Sequence, residues 1–433
     1  MTHMQNSLTK AMAMAIVSAI GCVLLTVALS TPIDPATKDF PMGRFSQITS
    51  WYKKRIDAVD PSGKDLSGAV IAIAKEGKLA YLQHIGFQDR AKTIPMTIDS
   101  IFWIASMTKP ITSVAAMMLV DDGKLDLDAP VAQYLPELKT MQVATAKPDP
   151  VSGKIDIALE PPKRPMTVRD LLRHTSGLVY PPQFVDEPIN RLYAKAAFKP
   201  DNSLAEFVTS LSSLPLAHQP GEVWEYSWGV DVLARVVEVA SGQQLDQFLQ
   251  SRIFKPLGMV DTGFYVPNEN LGRVVEAPTA RPPQFDITRP RKLVSGGGGL
   301  ASTAPDYLRF CQMLLNGGEL DGVRILGPET VKLMTADALP YDVSFVGRSV
   351  GPDHGTTFGL GFAIRTSRTS SPGSPGGSVG SFGWSGVWGT EFWVDPAQKV
   401  IAVQMIQVAP EKVGDYFTVM RDLTYGSLNS PQH

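Results

Sequence analysis

The sequence has few cysteines and little net charge. Its 433 residues include two cysteines, Cys22 and Cys311, and its formal net charge at pH 7 is -2. Cys22 lies in an N-terminal apolar run, so removal of that run would leave Cys311 alone and allow no internal disulfide. No long run of one charge sign occurs either. The sequence therefore predicts neither a nucleic-acid groove nor a polybasic membrane patch.

Patterns typical of metal and phosphate sites are also missing. The glycine run at 296–299 lacks the Lys-Ser/Thr pair of a phosphate-binding loop, and we predict a tight turn before a helix there. His174, in the motif RHTSGL, is predicted to be a structural hydrogen-bonding residue. We therefore predict that the protein needs no metal and no cofactor. The histidines beyond residue 30 show no pairing at metal-ligand spacing; they are His84, His174, His218, His354 and His433.

The N-terminus carries one long apolar segment, AMAMAIVSAIGCVLLTVALS at 11–30, after a polar start that includes Lys10. This layout is typical of a secretory signal, with small residues suited to cleavage at 28–30. We therefore predict a signal peptide over 1–30 and an exported protein, periplasmic or secreted. The alternative is an uncleaved segment 11–30 that anchors the protein in a membrane.

The rest of the chain has the composition of a globular protein, with 44% hydrophobic and 19% charged residues. Apolar residues at helical spacing predict an amphipathic helix over 45–59, and a hairpin follows at 68–87. Near the C-terminus three strands are predicted, at 358–364, 389–395 and 399–407, and then a final helix. Helical patterns dominate the middle.

These elements predict an α+β fold in which both chain ends contribute to one antiparallel sheet with flanking helices. A mainly helical region would be inserted between the two ends. In residue numbers, the sheet region covers 31–110 and 345–433, and the helical region covers 111–344. Together they would form one domain over 40–430.

The spacing S-x-x-K occurs three times, at Ser7/Lys10, Ser50/Lys53 and Ser106/Lys109. The first pair falls in the predicted leader, and the second falls on the polar side of the predicted helix 45–59. The third pair differs because Pro110 follows it at once and an apolar helical stripe follows Pro110. Proline is tolerated only in the first turn of a helix, so the helix should begin at 106–109.

At that position a serine has what a nucleophile needs. Unpaired N–H groups and the helix dipole favour negative charge near Ser106, and Lys109 should project from the same face one turn later. A lysine in a water-poor pocket can accept the proton of a serine hydroxyl or polarise another base. The alternative is an ordinary helix-capping serine beside an exposed lysine.

The stretch IFWIASMTKPITSVAAMMLVDDGKLDL resembles the nucleophile helix of serine β-lactamases and penicillin-binding proteins, which share the S-x-x-K motif. It is most similar to the esterases built on the class C β-lactamase pattern, the family VIII carboxylesterases. Further blocks keep the family order: TVRDLLRHTSGL, GEVWEYSWGVDVLARVVEVASG, GGGGLASTAPDYLRFCQMLLNGG and SFGWSGVWGTEFWVDP. The resemblance covers nearly the whole chain after the leader and implies a β-lactamase-like fold.

The resemblance also implies roles for individual residues. Ser106 would be the acylated nucleophile, and Lys109 its neighbouring base or the group that tunes the pKa of its neighbours. Tyr226 would be the phenol that moves protons between the serine and the leaving group. A phenol with an ordinary pKa near 10 needs a close ammonium to act as a base at neutral pH. The backbone amides of Ser106 and Val387 would form the oxyanion hole.

Two positions depart from the usual penicillin-recognising pattern. Trp384 precedes Ser385 and Gly386 where a lysine is usual, and Trp228 stands two residues after Tyr226 where an asparagine is usual. Both changes make the cleft more apolar, which favours neutral esters over anionic β-lactams. The esterase branch that the chain resembles is known for W-x-G at the position of Trp384. Trp228, Trp384, Ser385 and Gly386 are therefore the predicted substrate-binding residues.

We thus predict a serine carboxylesterase that acts on a small-molecule ester through an acyl-serine intermediate. A β-lactamase or DD-peptidase, or an acyltransferase, would use the same residues. An inactive cell-envelope binding protein with the same fold is a further alternative.

Overall fold

The computed structural model describes residues 42–58, 66–148, 155–194, 199, 201–279, 281–347, 350–366 and 377–429. The predicted leader at 1–30 lies outside this range. Among the described residues no helix is both long and apolar enough to cross a membrane.

Both ends of the described chain build one large antiparallel sheet. Its strands are β1 (Gly68–Lys75), β2 (Lys78–Gly86), β11 (Thr356–Phe358), β12 (Ala363–Arg365), β13 (Phe382–Ser385), β14 (Glu391–Asp395) and β15 (Val400–Ile406), in the spatial order β11-β12-β13-β14-β15-β1-β2. The hairpin β1–β2 turns at Glu76-Gly77 and pairs with the last strand, so that Ala72 faces Val403. This confirms the predicted α+β class and the sheet made from both chain ends.

Between these two groups of strands the chain is mostly helical but also forms short two-stranded ladders. These pair β3 (Phe102–Trp103) with β7 (Ala301–Ser302), β4 (Val143–Pro148) with β5 (Ile155–Glu160), β6 (Val223–Glu225) with β10 (Ser344–Val346), and β8 (Glu319–Leu320) with β9 (Val323–Arg324).

The α-helices of the described residues are α1 (Ser46–Asp57), α2 (Thr108–Asp121), α3 (Val168–Leu172), α4 (Pro188–Tyr193), α5 (Leu204–Leu211), α6 (Gly229–Ser241), α7 (Leu245–Leu249), α8 (Lys255–Leu257), α9 (Ala304–Leu315), α10 (Pro328–Met334) and α11 (Val413–Asn429).

The sheet separates two apolar cores. On one side α1 and α11 cover it, because Ile48, Tyr52 and Ile56 recur every four residues and bury one face of α1. On the other side α9 packs against β1, β14 and β15, and α2 packs against α6, within a larger core. Nearly every residue of α2 is buried, which makes it the central helix of the molecule.

One strand prediction is wrong. Residues 358–364 do not form a single strand, because β11 ends at Phe358 and β12 begins at Ala363. Gly361 between them has a φ of 101°, a conformation that favours glycine. A Cβ atom there would also lie 2.4 Å from the hydroxyl of Ser113 on α2. The two strands therefore form a hairpin whose turn packs against the central helix.

Candidate active site

The first element of the site is the start of α2. Ser106 lies in a short 3-10 turn, Ala105–Met107, that leads directly into the helix. Ala105 has a φ of 45°, which residues with a Cβ adopt only where their surroundings hold them. Pro110 is the third residue of α2, as its tolerance in a first turn predicts. Ser106 therefore sits at the positive end of the helix dipole.

The three side chains that the resemblance assigns to catalysis meet at this point. Tyr226, in the link between β6 and α6, donates its phenolic hydrogen to Oγ of Ser106 over 2.7 Å. Lys109 Nζ lies 3.4 Å from the same oxygen and 4.6 Å from the centre of the Tyr226 ring. The serine hydroxyl is thus within proton-transfer reach of a phenol and an amine.

Lys109 is buried, with 1% of its surface exposed. Besides Ser106, its Nζ donates to the hydroxyl oxygen of Tyr180 over 3.1 Å and to the carbonyl of Gly297 over 2.6 Å. These three oxygens match the three donors of an ammonium group. A neutral amine would have two donors and one lone pair, and the lone pair could then accept the proton of Ser106.

The glycine run is more than a tight turn. Three successive carbonyls at 296–298 accept hydrogen bonds from around the start of α2, from Thr112 Oγ1 (2.8 Å), Lys109 Nζ (2.6 Å) and Trp103 Nε1 (2.7 Å). A Cβ on Gly296 would come within 2.5 Å of Ala234. Glycine is needed because the backbone passes directly between α2 and α6.

A second buried charge lies on the other side of this run. Asp231, in the first turn of α6, accepts hydrogen bonds from Ser295 Oγ (2.6 Å) and from the amide of Gly297 (3.0 Å). Burial raises the pKa of Asp231, whereas the positive charge of Lys109 and these two hydrogen bonds oppose the rise.

His174 packs beside the site, against Ser227 and Tyr226. It is buried, its Nδ1 lies 3.2 Å from Oγ of Ser227, and its ring packs 4.9 Å from that of Tyr226. Burial, together with the charge of Lys109, lowers the pKa of His174 well below its ordinary value, so the ring is neutral. These contacts agree with the structural role predicted for it.

The predicted oxyanion segment packs on the strand that precedes Ser106. The amide of Gly386 donates to the carbonyl of Thr390 over 2.7 Å, and Thr390 Oγ1 donates to the carbonyl of Ile104. A Cβ on Gly386 would lie 2.7 Å from that carbonyl, so only glycine allows this approach. Trp388 packs edge-on to Trp103 at 4.5 Å. The turn that carries Val387 therefore lies beside the segment that carries Ser106.

Aromatic rings surround the serine. The Trp384 ring lies 5.4 Å from that of Tyr226, and Phe184 lies 5.3 Å from Tyr226 and 5.1 Å from Tyr180. Phe184 is 46% exposed, so this aromatic wall opens to solvent. Ser385 is also partly exposed, beside Trp384 on β13. Such a wall suits an apolar group next to the reacting carbonyl.

Trp228 is placed differently from the other predicted substrate-binding residues. It is 3% exposed and packs against Tyr180, Tyr193 and Phe207 in the core. Its contact with Tyr180 backs the aromatic wall from behind. Trp228 therefore shapes the cleft through Tyr180 and is not on the open side.

Other kinds of site find little support in the described part of the chain. No group of three or more His, Cys, Asp or Glu side chains there is arranged to hold a metal ion. A G-x-S-x-G pattern at 376–380 places Ser378 before strand β13, with its amide bonded to Asp395. A nucleophile elbow instead requires a turn from a strand into a helix.

Sequence reasoning missed three residues of the site: Tyr180, Asp231 and Gly297. Asp231 did leave a signal, because it is a lone acid among the apolar residues of WGVDVLARVVEV. Tyr180 follows HTSGL by two residues, but nothing in that spacing says that it will touch Lys109. Gly297 acts through its backbone, and only the three-dimensional path of the chain reveals such a contact.

Comparison with known proteins identifies relatives of this chain. The family model described as Beta-lactamase matches residues 55–422. Protein Rv1367c of Mycobacterium tuberculosis is 39% identical over 368 residues, which are 80% of this chain and 87% of the relative. Esterase EstB of Burkholderia gladioli is 30% identical over 413 residues (88% and 97%). Lovastatin esterase of Penicillium rubens is 33% identical over 327 residues (70% and 79%).

Solved structures show the same fold. EstCE1, described as a hydrolase with promiscuous acyltransferase activity, superposes with a TM-score of 0.69 at 23% identity and covers 88% of this chain and 99% of its own. Simvastatin synthase (LovD) of Aspergillus terreus gives 0.71 at 23% identity, with 90% and 99% covered. The β-lactamase-like fold is confirmed.

Proposed function

Since this chain belongs to the Beta-lactamase family and is a serine hydrolase of that superfamily, we propose that it cleaves carboxylic esters through a covalent acyl-serine intermediate. Ser106 would be the nucleophile, with Lys109 and Tyr226 as the groups that move protons. The observation that carries the proposal is the contact of one serine oxygen with the Tyr226 hydroxyl at 2.7 Å and with Lys109 Nζ at 3.4 Å.

In the first half of the reaction, Ser106 Oγ attacks the ester carbonyl carbon and its proton passes to the Lys109–Tyr226 pair. The amides of Ser106 and Val387 would stabilise the resulting oxyanion. When the carbonyl re-forms, the C–O bond to the alcohol breaks, and the same proton moves to the alcohol oxygen. The products are an acyl-serine and a free alcohol.

In the second half, water replaces the alcohol. The Lys109–Tyr226 pair takes a proton from water as it attacks the acyl carbon, and then returns that proton to Oγ of Ser106 as the acid leaves. The two halves use the same groups in opposite directions, and the enzyme returns to its starting state.

The preference for neutral esters rests on the character of the cleft. Trp384 and Phe184 present apolar surface beside Tyr226, and Lys109 is buried with its donors already bound to three oxygens. Lys109 therefore has no donor left to bind a substrate carboxylate. Two relatives with at least 30% identity are named as esterases, which supports the same choice.

The test compares p-nitrophenyl acetate, butyrate and octanoate with the β-lactam nitrocefin, using the purified wild type and Ser106→Ala. We expect ester turnover to exceed nitrocefin turnover by at least about 100-fold in kcat/KM, and to disappear in the variant. Faster hydrolysis of nitrocefin would contradict the proposal and favour a β-lactamase or DD-peptidase.

Added alcohols decide between hydrolysis and acyl transfer. For a hydrolase, the acid should remain the main product when a short alcohol is added at millimolar concentration. A switch of most product to the new ester would identify an acyltransferase with the same acyl-serine.

A further inference from the structure

The buried acid next to the catalytic lysine has no part in the reaction steps above. Asp231 is 1% exposed, and one of its oxygens, Oδ1, accepts both hydrogen bonds from the glycine run. The other oxygen, Oδ2, has no hydrogen-bond partner among the described residues. A carboxylate held in this way is costly unless an opposite charge lies close by.

The opposite charge is Lys109, on the far side of a single residue. Gly297 donates its amide to Asp231 over 3.0 Å, and its carbonyl accepts from Lys109 Nζ over 2.6 Å. A Cβ on Gly297 would lie 2.2 Å from Oδ2 of Asp231. The carboxylate is therefore pressed against this glycine, and any larger residue would force the two charged groups apart.

Two nearby ionisable groups carry no charge. They are Tyr180, which accepts a hydrogen bond from Lys109, and His174, which packs against Tyr226. Burial first, and then proximity to Tyr226 and Asp231, raises the pKa of Tyr180 well above its ordinary value, while burial and Lys109 lower that of His174. The balance of charge in the site thus lies between Lys109 and Asp231.

We propose that Asp231 is a positioning residue of the active site: its carboxylate balances the charge of Lys109 and, through Ser295 and Gly297, holds the carbonyl that keeps Nζ beside Ser106. The kinetic consequences rest on the proposed esterase function. The electrostatic coupling of Asp231 to Lys109 does not, because it is a property of the folded protein.

The kinetic test uses Asp231→Asn, which can keep both hydrogen bonds to Oδ1 and removes only the charge. A nearby negative charge favours the protonated form of the Lys109–Tyr226–Ser106 cluster. Without it the cluster loses its proton more easily, so the acid-side midpoint of the kcat/KM profile should fall by at least about 0.5 pH unit. On the high-pH plateau we expect kcat to fall by up to about threefold, because a cluster of lower pKa accepts a proton less readily, with KM changed less than about twofold.

Two control variants separate charge from hydrogen bonding. Ser295→Ala removes one hydrogen bond to Asp231 without changing the charge, and it should leave the midpoint in place. Asp395→Asn neutralises another fully buried carboxylate, which is bonded to Ser378 and Tyr425 at the end of β14. It should not move the midpoint either. An Asp231→Asn profile with the wild-type midpoint, or an equal shift in Ser295→Ala, would overturn the proposal.

A stability cycle tests the coupling without any substrate. Lys109→Met leaves Asp231 as a buried charge with no balancing cation, so the double variant Lys109→Met/Asp231→Asn should have a higher denaturation midpoint than Lys109→Met alone. The loss of stability in Lys109→Met, relative to the wild type, should also grow as the pH rises above about 4. A carboxyl whose pKa is raised in the folded state destabilises the protein at a pH where the unfolded chain has already ionised.

This cycle remains decisive if Asp231→Asn alone is too unstable for kinetics. Lys332→Met, at an exposed lysine on α10, controls for loss of a surface charge. If the double variant shows the same pH-dependent loss of stability relative to the wild type, that loss comes from His174 and not from Asp231, and the proposal fails. A successful cycle in a protein that hydrolyses no ester would refute the esterase function while leaving the Asp231–Lys109 coupling intact.

Discussion

The molecule contains the same short motif in two described places, and their surroundings differ. Ser50 and Lys53 lie on α1 and are both exposed. Ser106 and Lys109 lie at the start of α2, where the lysine is buried and contacts oxygens from three separate parts of the chain. A hydroxyl and an amine at the same spacing thus differ in burial, partners and helix position.

The spacing alone therefore does not determine the environment of the motif, which depends on the segments that fold around it. In α1 the spacing merely places two polar residues on the solvent side of a helix that covers the sheet. At α2 the Tyr226 hydroxyl bonds Ser106, the Gly297 carbonyl bonds Lys109, and the Asp231 carboxylate bonds the amide of the same glycine. The predictions below compare the two regions, beginning with the largest expected effect.

The largest effect should come from the serines. Ser106→Ala removes the nucleophile and should lower kcat/KM for p-nitrophenyl butyrate by at least about 10⁴-fold. Ser50→Ala, at an exposed position, should leave it within about twofold of the wild type. Steady-state kinetics of the two variants, each checked by circular dichroism, would show this. Comparable losses in both would mean that the site lies elsewhere.

The next largest difference in activity should lie between variants of the two lysines. Lys109→Arg keeps a positive charge but replaces an amine that can lose its proton with a guanidinium that cannot, so we expect a loss of about 10³-fold. Lys53→Arg changes the exposed pair in the same way and should be silent. Single-turnover measurements of p-nitrophenol release would report the acylation step directly. An active Lys109→Arg enzyme would show that no proton passes through this residue.

The third prediction concerns Tyr226, whose hydroxyl reaches Ser106 from a distant segment of the chain. Tyr226→Phe removes the hydroxyl that lies 2.7 Å from Ser106 and should reduce kcat by about 10²- to 10³-fold. Tyr193→Phe serves as a control, since Tyr193 is buried and its hydroxyl donates to the carbonyl of Pro215. It should change stability more than turnover. Equal kinetic losses in both variants would contradict a role for Tyr226 in proton transfer.

The amount that could be predicted from sequence follows the same division. Pro110 and the apolar stripe after it fix the start of α2, and the hairpin and last strands were visible in their β-branched runs. The turn at Gly361 was missed because it depends on contact with Ser113, which is 248 residues away in the sequence. Likewise the contacts of Gly297 and Tyr180 with Lys109 form only in the folded chain.

The smallest effect should come from Asp170, which holds a segment beside the site in place. Asp170, at the start of α3, binds Arg164, Arg173 and Thr175, and so holds the segment that leads to His174 and Tyr180. Burial alone would raise its pKa, but the hydrogen bonds from Arg164 and Thr167 lower it from 3.8 to about 2. Asp170→Asn should therefore cost roughly 2 kcal/mol of unfolding free energy at pH 7.

The sign of this effect gives its pH dependence. A carboxyl whose pKa is depressed in the folded state stabilises the protein above its unfolded pKa, and that stabilisation is lost as the pH falls. The gap between wild type and Asp170→Asn in urea unfolding should accordingly close between about pH 4 and pH 2. A gap that does not change with pH would assign the loss to packing and not to the ion pairs.

The site of covalent labelling identifies the nucleophile directly. The protein is incubated with a p-nitrophenyl ester, quenched in acid during turnover, digested and examined by peptide mass spectrometry. We expect one acyl group, on Ser106, and no acylated peptide in Ser106→Ala treated in the same way. An acyl group on Ser50 or any other residue, or steady ester turnover without an acylated peptide, would contradict it.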